Sequence, residues 1–200
     1  MMKNLIKISF FLDLIFSLNA NAETADRLDK QLCSICHGVG GNTTSEQFPM
    51  LAGQNAVYFT SQMRAFRDKS RANLNASRFM WGISSRLTDE DIDKLAAYFE
   101  AQTPAHVGKI TDQVKYDQGK TLFTIGDQSR GVPACAACHG EKAQGGATMP
   151  RLAGQHEEYL KKQLKVFYGT ERPAAVAMHE IVKALTEKDI EALAQYLQAQ

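Results

Sequence analysis

The second half of this 200-residue chain repeats the first. "FPMLAGQNAVYFTSQMRAF" at 48–66 lies over "MPRLAGQHEEYLKKQLKVF" at 149–167, at an offset of 101 residues. "LTDEDIDKLAAYFEAQ" at 87–102 lies over "LTEKDIEALAQYLQAQ" at 185–200, at an offset of 98, with nine of sixteen positions identical. The change in offset (101 − 98 = 3) places a three-residue deletion between Arg172 and Met178. Self-similarity at this period means two copies of one domain, not a short-period solenoid. "TPAHVGKITDQ" at 103–113 carries a proline, a glycine and no sustained period, so it reads as the joint. The expected division is a leader at 1–22, domain one at 23–104, a linker at 105–112 and domain two at 113–200.

Both copies read as all-α. Tyr58, Met63 and Phe66 recur among polar residues at helical spacing. Each copy closes with a helix opened by a threonine N-cap and acidic residues: Thr88 before Asp89, Glu90 and Asp91, and Thr186 before Glu187. Ile92, Leu95, Ala96 and Phe99 form one apolar stripe, matched by Ile190, Leu193, Ala194 and Leu197. No segment alternates as a strand. Domains of about 80 to 90 residues built from short helices have small cores, and such cores usually need a staple.

The N-terminal "MMKNLIKISFFLDLIFSLNANA" has two lysines, an apolar stretch interrupted by Asp13, and small residues ending in Ala22. That is the layout of a cleaved secretory leader. Export places the mature chain in an oxidising compartment, where free thiols do not persist. The mature chain carries 21 basic (23 − 2) and 21 acidic (22 − 1) side chains. Domain one has 9 basic and 10 acidic residues, domain two 11 and 10, so neither half shows the basic excess of a nucleic-acid binder.

All four cysteines fall in two copies of one pattern, "CSICHG" at 33–38 and "CAACHG" at 135–140. On a helix, cysteines at i and i+3 and a histidine at i+4 project from one face. Two thiols can then bond the vinyl groups of a haem while the imidazole approaches the iron, which is the c-type haem attachment pattern. A redox disulfide or a zinc site uses CxxC but has no need of the histidine after it. The histidine occurs twice, at equivalent repeat positions. The expected cofactors are two covalently bound haem c groups, on Cys33, Cys36 and His37 and on Cys135, Cys138 and His139. Each macrocycle supplies the apolar surface that its small domain lacks.

The repeat also selects the second axial ligand. Candidates are methionine or a further histidine. His106, His156 and His179 have no histidine partner in the other copy, and Met50, Met63 and Met149 have no methionine partner. Met80 and Met178 coincide at the 98 offset, 43 and 39 residues after their histidines. Met63 reads as core filler. Iron held by histidine and methionine keeps no exchangeable position, which argues for electron transfer and against haem catalysis. Pro49 and Pro150 sit 12 and 11 residues past the histidines, where a carbonyl can accept the Nδ1–H and fix the ring. Arg71 and Arg172 coincide at the 101 offset; they either meet haem propionates or lie on a solvated face. Arg64, Arg67, Lys69 and Arg71 form a basic cluster around Asp68, read either as a docking patch or as a solvated face.

Taken in order, CxxCHG, P-x-LAGQ, the following aromatic run, the methionine and "LT…DI…LA.Y", all doubled, resemble the dihaem cytochrome c4 family over essentially the whole mature chain. The resemblance implies two tandem cytochrome c-like helical domains with pseudo-twofold symmetry and haems near the domain interface. It implies a periplasmic electron carrier, soluble or loosely membrane-associated and monomeric. Its partners would be a quinol–cytochrome c reductase and a terminal oxidase or reductase. Carried over residue by residue, it gives the ligand pairs His37/Met80 and His139/Met178. The methionine loops, "SRFMWG" and "AVAMHE", lack the Pro-Met pattern frequent in that family, and Trp81 against His179 makes the two haem surroundings unequal. The alternative role is the dihaem subunit of a flavocytochrome c-type dehydrogenase.

Overall fold

The computed structural model describes residues 24–105, 108–146 and 148–200. The expected leader at 1–22 and His106 of the expected linker lie outside the described residues. Among these, regular structure is helical, with only isolated bridges at Asp127–Val132 and Gly146–Met149.

Domain one has four helices. α1 runs over 24–37 and passes through a π turn at Asp29–Cys33 before its last α turn, Ser34–His37. α2 is Ala56–Arg67, opened by the Asn55 side chain accepting the Tyr58 N–H at 3.0 Å. α3 covers 74–84, with a π turn at Ala76–Met80 leading into Trp81–Ser84. α4 is Asp89–Glu100. Domain two follows with α5 (Gln113–Thr124), α6 (Ala136–His139), α7 (Glu157–Val166), α8 (Val176–Val182) and α9 (Glu187–Gln198).

The C-terminal helix of each copy starts with a complete capping box. Thr88 Oγ1 accepts the Asp91 N–H while Asp91 accepts the Thr88 N–H; Thr186 and Asp189 repeat the exchange. The apolar stripes of α4 and α9 are buried as their spacing predicts, none of the eight residues being more than 4% exposed. Each stripe anchors a separate core. In domain one, Ile92, Leu95 and Phe99 pack with Phe59, Met63 and Phe66 of α2. In domain two, Ile190, Leu193 and Leu197 pack with Leu122, Phe123, Leu160 and Phe167. The described part of the linker does not hang free. Gln195 of α9 donates to the Lys109 carbonyl at 3.0 Å, and Thr111 donates to Gln195 Oε1 at 2.5 Å.

The final glycine of each CxxCHG pattern has a backbone reason. Gly38 and Gly140 end the motif helices at φ +72° and +80°. A Cβ on Gly38 would stand 2.4 Å from the Asn42 carbonyl oxygen. Only glycine turns the chain there without strain.

Candidate functional site

Each CxxCH motif sits on the last turn of a helix that faces its own core. Cys33 and Met80 border the domain-one core, and Cys135 and Met178 border the domain-two core. His37 and His139 are buried. The His37 Nδ1–H donates to the Pro49 carbonyl at 2.9 Å, and the His139 Nδ1–H donates to the Pro150 carbonyl at 3.2 Å. These bonds fix both rings and leave Nε2 with its lone pair. Burial pushes both imidazoles below the usual histidine range, against the opposing pull of the proline carbonyls. The neutral ring is the form that binds a metal.

None of the four cysteines is paired in a disulfide. Burial, with a smaller contribution from the Asp29 carboxylate, pushes Cys33 up to about 12, and burial pushes Cys135 up to about 11. Among the described residues no group of three or more His, Cys, Asp or Glu side chains gathers to hold a metal ion.

Between the two domains lies a seam whose symmetry is detailed. Gln54 of the first LAGQ donates to the Arg151 carbonyl at 3.1 Å and accepts the Arg151 N–H at 2.8 Å. Gln155 of the second LAGQ makes the same pair of bonds to Met50, at 3.1 and 2.9 Å. Each glutamine thus pairs with both backbone groups of one residue of the other domain. Beside them, Arg71 donates to Gln62, Gln163 and Tyr159, while Arg172 donates to Gln163, Gln62 and Tyr58. Each guanidinium also stacks on a phenylalanine of its own domain, Phe66 or Phe167, at 4.6 Å. His156 adds an asymmetric bond, its Nε2 meeting the Thr43 carbonyl at 3.0 Å.

Neither solvated-face reading for Arg71 and Arg172 survives this geometry. Both are buried, and their partners are neutral amides and phenols. Burial works to raise the Tyr58 hydroxyl, but the Arg172 and Arg71 charges outweigh it and hold that group below the usual tyrosine range. Arg151, also on the seam, has a buried Nε with no hydrogen-bond partner, and burial lowers its pKa. Buried cations without carboxylates are costly unless another anion meets them. The rest of the basic cluster behaves differently: Arg64 pairs with Asp89 and Asp93, and Arg67 with Asp89, all on the surface of α2 and α4.

These features fit haem c. Its propionates would supply anions for the seam arginines. Its macrocycle matches the large apolar side chains left exposed next to the motif residues: Ile35, Val39, Phe79 and Val176. Trp81 and His179, unlike in chemistry, do one equivalent thing. The Trp81 ring N–H donates to the Arg71 carbonyl at 2.9 Å, and His179 Nε2 lies 3.0 Å from the Arg172 carbonyl. His179 adds a second contact, Nδ1 to the Phe167 carbonyl at 2.7 Å, which indole has no atom to make.

The seam is what the sequence left unread. Tyr58/Tyr159, Gln62/Gln163 and Gln54/Gln155 all coincide at the 101 offset, so the signal was present as a repeated Y-x-x-x-Q after LAGQ.

Two helical units, each ending a helix in CxxCH and setting a methionine against the same core, define a two-domain c-type cytochrome. The cytochrome c family model matches residues 22–102 and 116–200. Cytochrome c4 of Pseudomonas aeruginosa is 36% identical over 184 residues, covering 90% of this chain and 89% of that one. The structure of reduced cytochrome c4 from Pseudomonas stutzeri superposes with a TM-score of 0.80 at 34% identity, over 89% of this chain and 97% of that one. A thiosulfate dehydrogenase electron acceptor of Stutzerimonas stutzeri is 32% identical, covering 92% of this chain and 89% of that protein. The chain belongs to the cytochrome c4 family of dihaem electron carriers, and it carries two covalently bound haem c groups.

Proposed function

We propose that this chain is a periplasmic carrier passing single electrons from a quinol–cytochrome c reductase to a terminal oxidase or reductase. In this reading Cys33 and Cys36, and Cys135 and Cys138, hold the two haems by thioether bonds. His37 with Met80, and His139 with Met178, are the axial pairs. Domain one spans 23–104 and domain two 113–200, after a cleaved leader. When bound, haem c supplies a one-electron couple. The residues around it keep the histidines neutral and oriented, place a thioether opposite, and put arginines where propionates reach.

What supports the reading is the duplication: in each unit a histidine is held through Nδ1–H, and a motif cysteine and a methionine pack against one core. Saturated iron suits electron passage with little rearrangement and leaves no position for a substrate. Among the described residues no helix is long and apolar enough to cross a membrane.

A second reading has a specific support, the likeness to a thiosulfate dehydrogenase electron acceptor. There the chain would take electrons from a sulfur-compound dehydrogenase, free or in a lasting complex. A flavocytochrome c-type subunit is the further variant, marked by a stoichiometric flavoprotein partner on purification. Stopped-flow reduction of the oxidised holoprotein separates the donors. Fast reduction by the quinol-oxidising complex and slow reduction by thiosulfate with its dehydrogenase is expected. The reverse order replaces the first reading with the second.

A further inference from the structure

Asp29 is a fully buried carboxylate that the repeat does not account for. It lies in the π turn of α1, four residues before Cys33, and it is 0% exposed. Its Oδ2 accepts the Gly40 N–H at 2.9 Å and the Tyr98 hydroxyl at 3.2 Å. Its Oδ1 has no hydrogen-bond partner. Among the described residues no lysine or arginine forms an ion pair with it; Lys30, its chain neighbour, pairs with Asp26.

Among its described residues domain two has no fully buried carboxylate; Glu171 has a buried oxygen without a hydrogen-bond partner, but the residue itself is partly exposed. Tyr196 is the repeat partner of Tyr98 at the 98 offset, and Tyr116 and Phe123 both pack on it at 5.4 Å, Phe123 being likewise 0% exposed. Counted back from the second CxxCH motif, the place of Asp29 is taken by Gly131. One core therefore buries a carboxylate against its tyrosine where the other buries a phenyl ring. Asp29 stands beside the motif itself, one helical turn before Cys33 and bonded to the N–H of Gly40, three residues after His37.

Oxidised haem iron carries one more positive charge than reduced iron. A buried negative charge nearby is poorly screened and favours the oxidised form. We propose that the Asp29 carboxylate lowers the potential of the domain-one haem. The step involves one electron and no proton. It rests on both CxxCH sites carrying haem, which haem content and absorption bands check separately from the potentials.

The test is a spectroelectrochemical titration of the holoprotein and of D29N and D29S. Asparagine keeps the shape and serine keeps an acceptor for the Gly40 N–H, so a folding failure in one leaves the other. A Met178→His background moves the domain-two haem to much lower potential, since thioether ligation is what raises it, and isolates the domain-one curve. Both variants are expected to raise the domain-one potential by about tenfold in its reduction equilibrium, 59 mV for a one-electron couple. The domain-two potential, read without the background change, should move by less than a third of that. A domain-one potential that fails to rise in either variant, or one that rises no more than its neighbour, overturns the proposal.

Discussion

Replacing Gln155 by alanine strips three backbone groups at once. Its Oε1 accepts the N–H groups of Met50 and His156, at 2.9 and 3.1 Å, and its Nε2 donates to the Met50 carbonyl at 3.1 Å. Gln155 and Met50 are each 6% exposed, so water does not readily replace these bonds. An orphaned buried polar group costs about 1–3 kcal/mol, and neighbouring losses add incompletely. For Q155A a loss of about 3 kcal/mol is expected. In a chain of this size, each kcal/mol lowers Tm by about 2–4 °C, so the fall should be about 6–12 °C. The form of the change is more telling than its size. Two of the three bonds cross the seam, so the domains should uncouple, and one calorimetric transition of the holoprotein should split in two. Q54A, which removes the mirror pair of bonds to Arg151, should do the same. Once one glutamine has opened the seam, removing the second should cost less, so the double variant should fall short of the sum. A Tm loss under about 2 °C, or a single cooperative transition in both variants, would refute the view that these glutamines join the domains.

Met80→Ala and Met178→Ala should each remove half of the far-red sulfur-to-iron absorption of the oxidised protein and lower one potential while leaving the other; loss of the whole band from either variant would break the assignment. Ala143 occupies the repeat place of Gly41 with φ +53° against +76°, and each carbonyl accepts two N–H groups of the LAGQ segment. A left-handed alanine costs about 1–2 kcal/mol, partly offset by the entropy of an unfolded glycine, about 0.4–1 kcal/mol. A143G should therefore stabilise by about 0.5–1 kcal/mol in denaturant titration. G41A should destabilise by more than 1 kcal/mol, since its Cβ would meet Ala52 N and Leu51 Cβ at 2.7 Å.

The helices of α4 and α9 were legible because their information is local. A threonine, an acid three residues on and a stripe at 3.6 spacing specify both the start and the buried face. The proline carbonyls were legible too, since Pro49 and Pro150 recur at a nearly constant distance from the histidines. The π turns at Asp29–Cys33 and Ala76–Met80 were not, because a stripe template at 3.6 residues per turn has no place for a wider one. Arg71 and Arg172 were visible as a pair but not as buried groups. Their surroundings are Gln62, Gln163, Tyr58 and Tyr159, two of which belong to the other domain in each case. A repeat alignment says that two residues are equivalent; it does not say what they face.

The same limit bears on asymmetry. Aligned copies differ at many positions, and most differences turn out to be silent or structural. Trp81 and His179 address the same arginine carbonyl through different rings. Gly41 and Ala143 hold the same left-handed turn at different strain. His156 for Asn55 exchanges a helix cap for a bond to Thr43. None of these places a fixed charge in one core alone. Asp29 does, and its counterpart emerges only through contact, because Phe123 matches it by packing on Tyr196 and not by position in the alignment. In a duplicated electron carrier, a difference that leaves hydrogen bonding equivalent should leave the two potentials nearly equal. A difference in buried charge should separate them, and Asp29 is the residue at which that distinction can be measured.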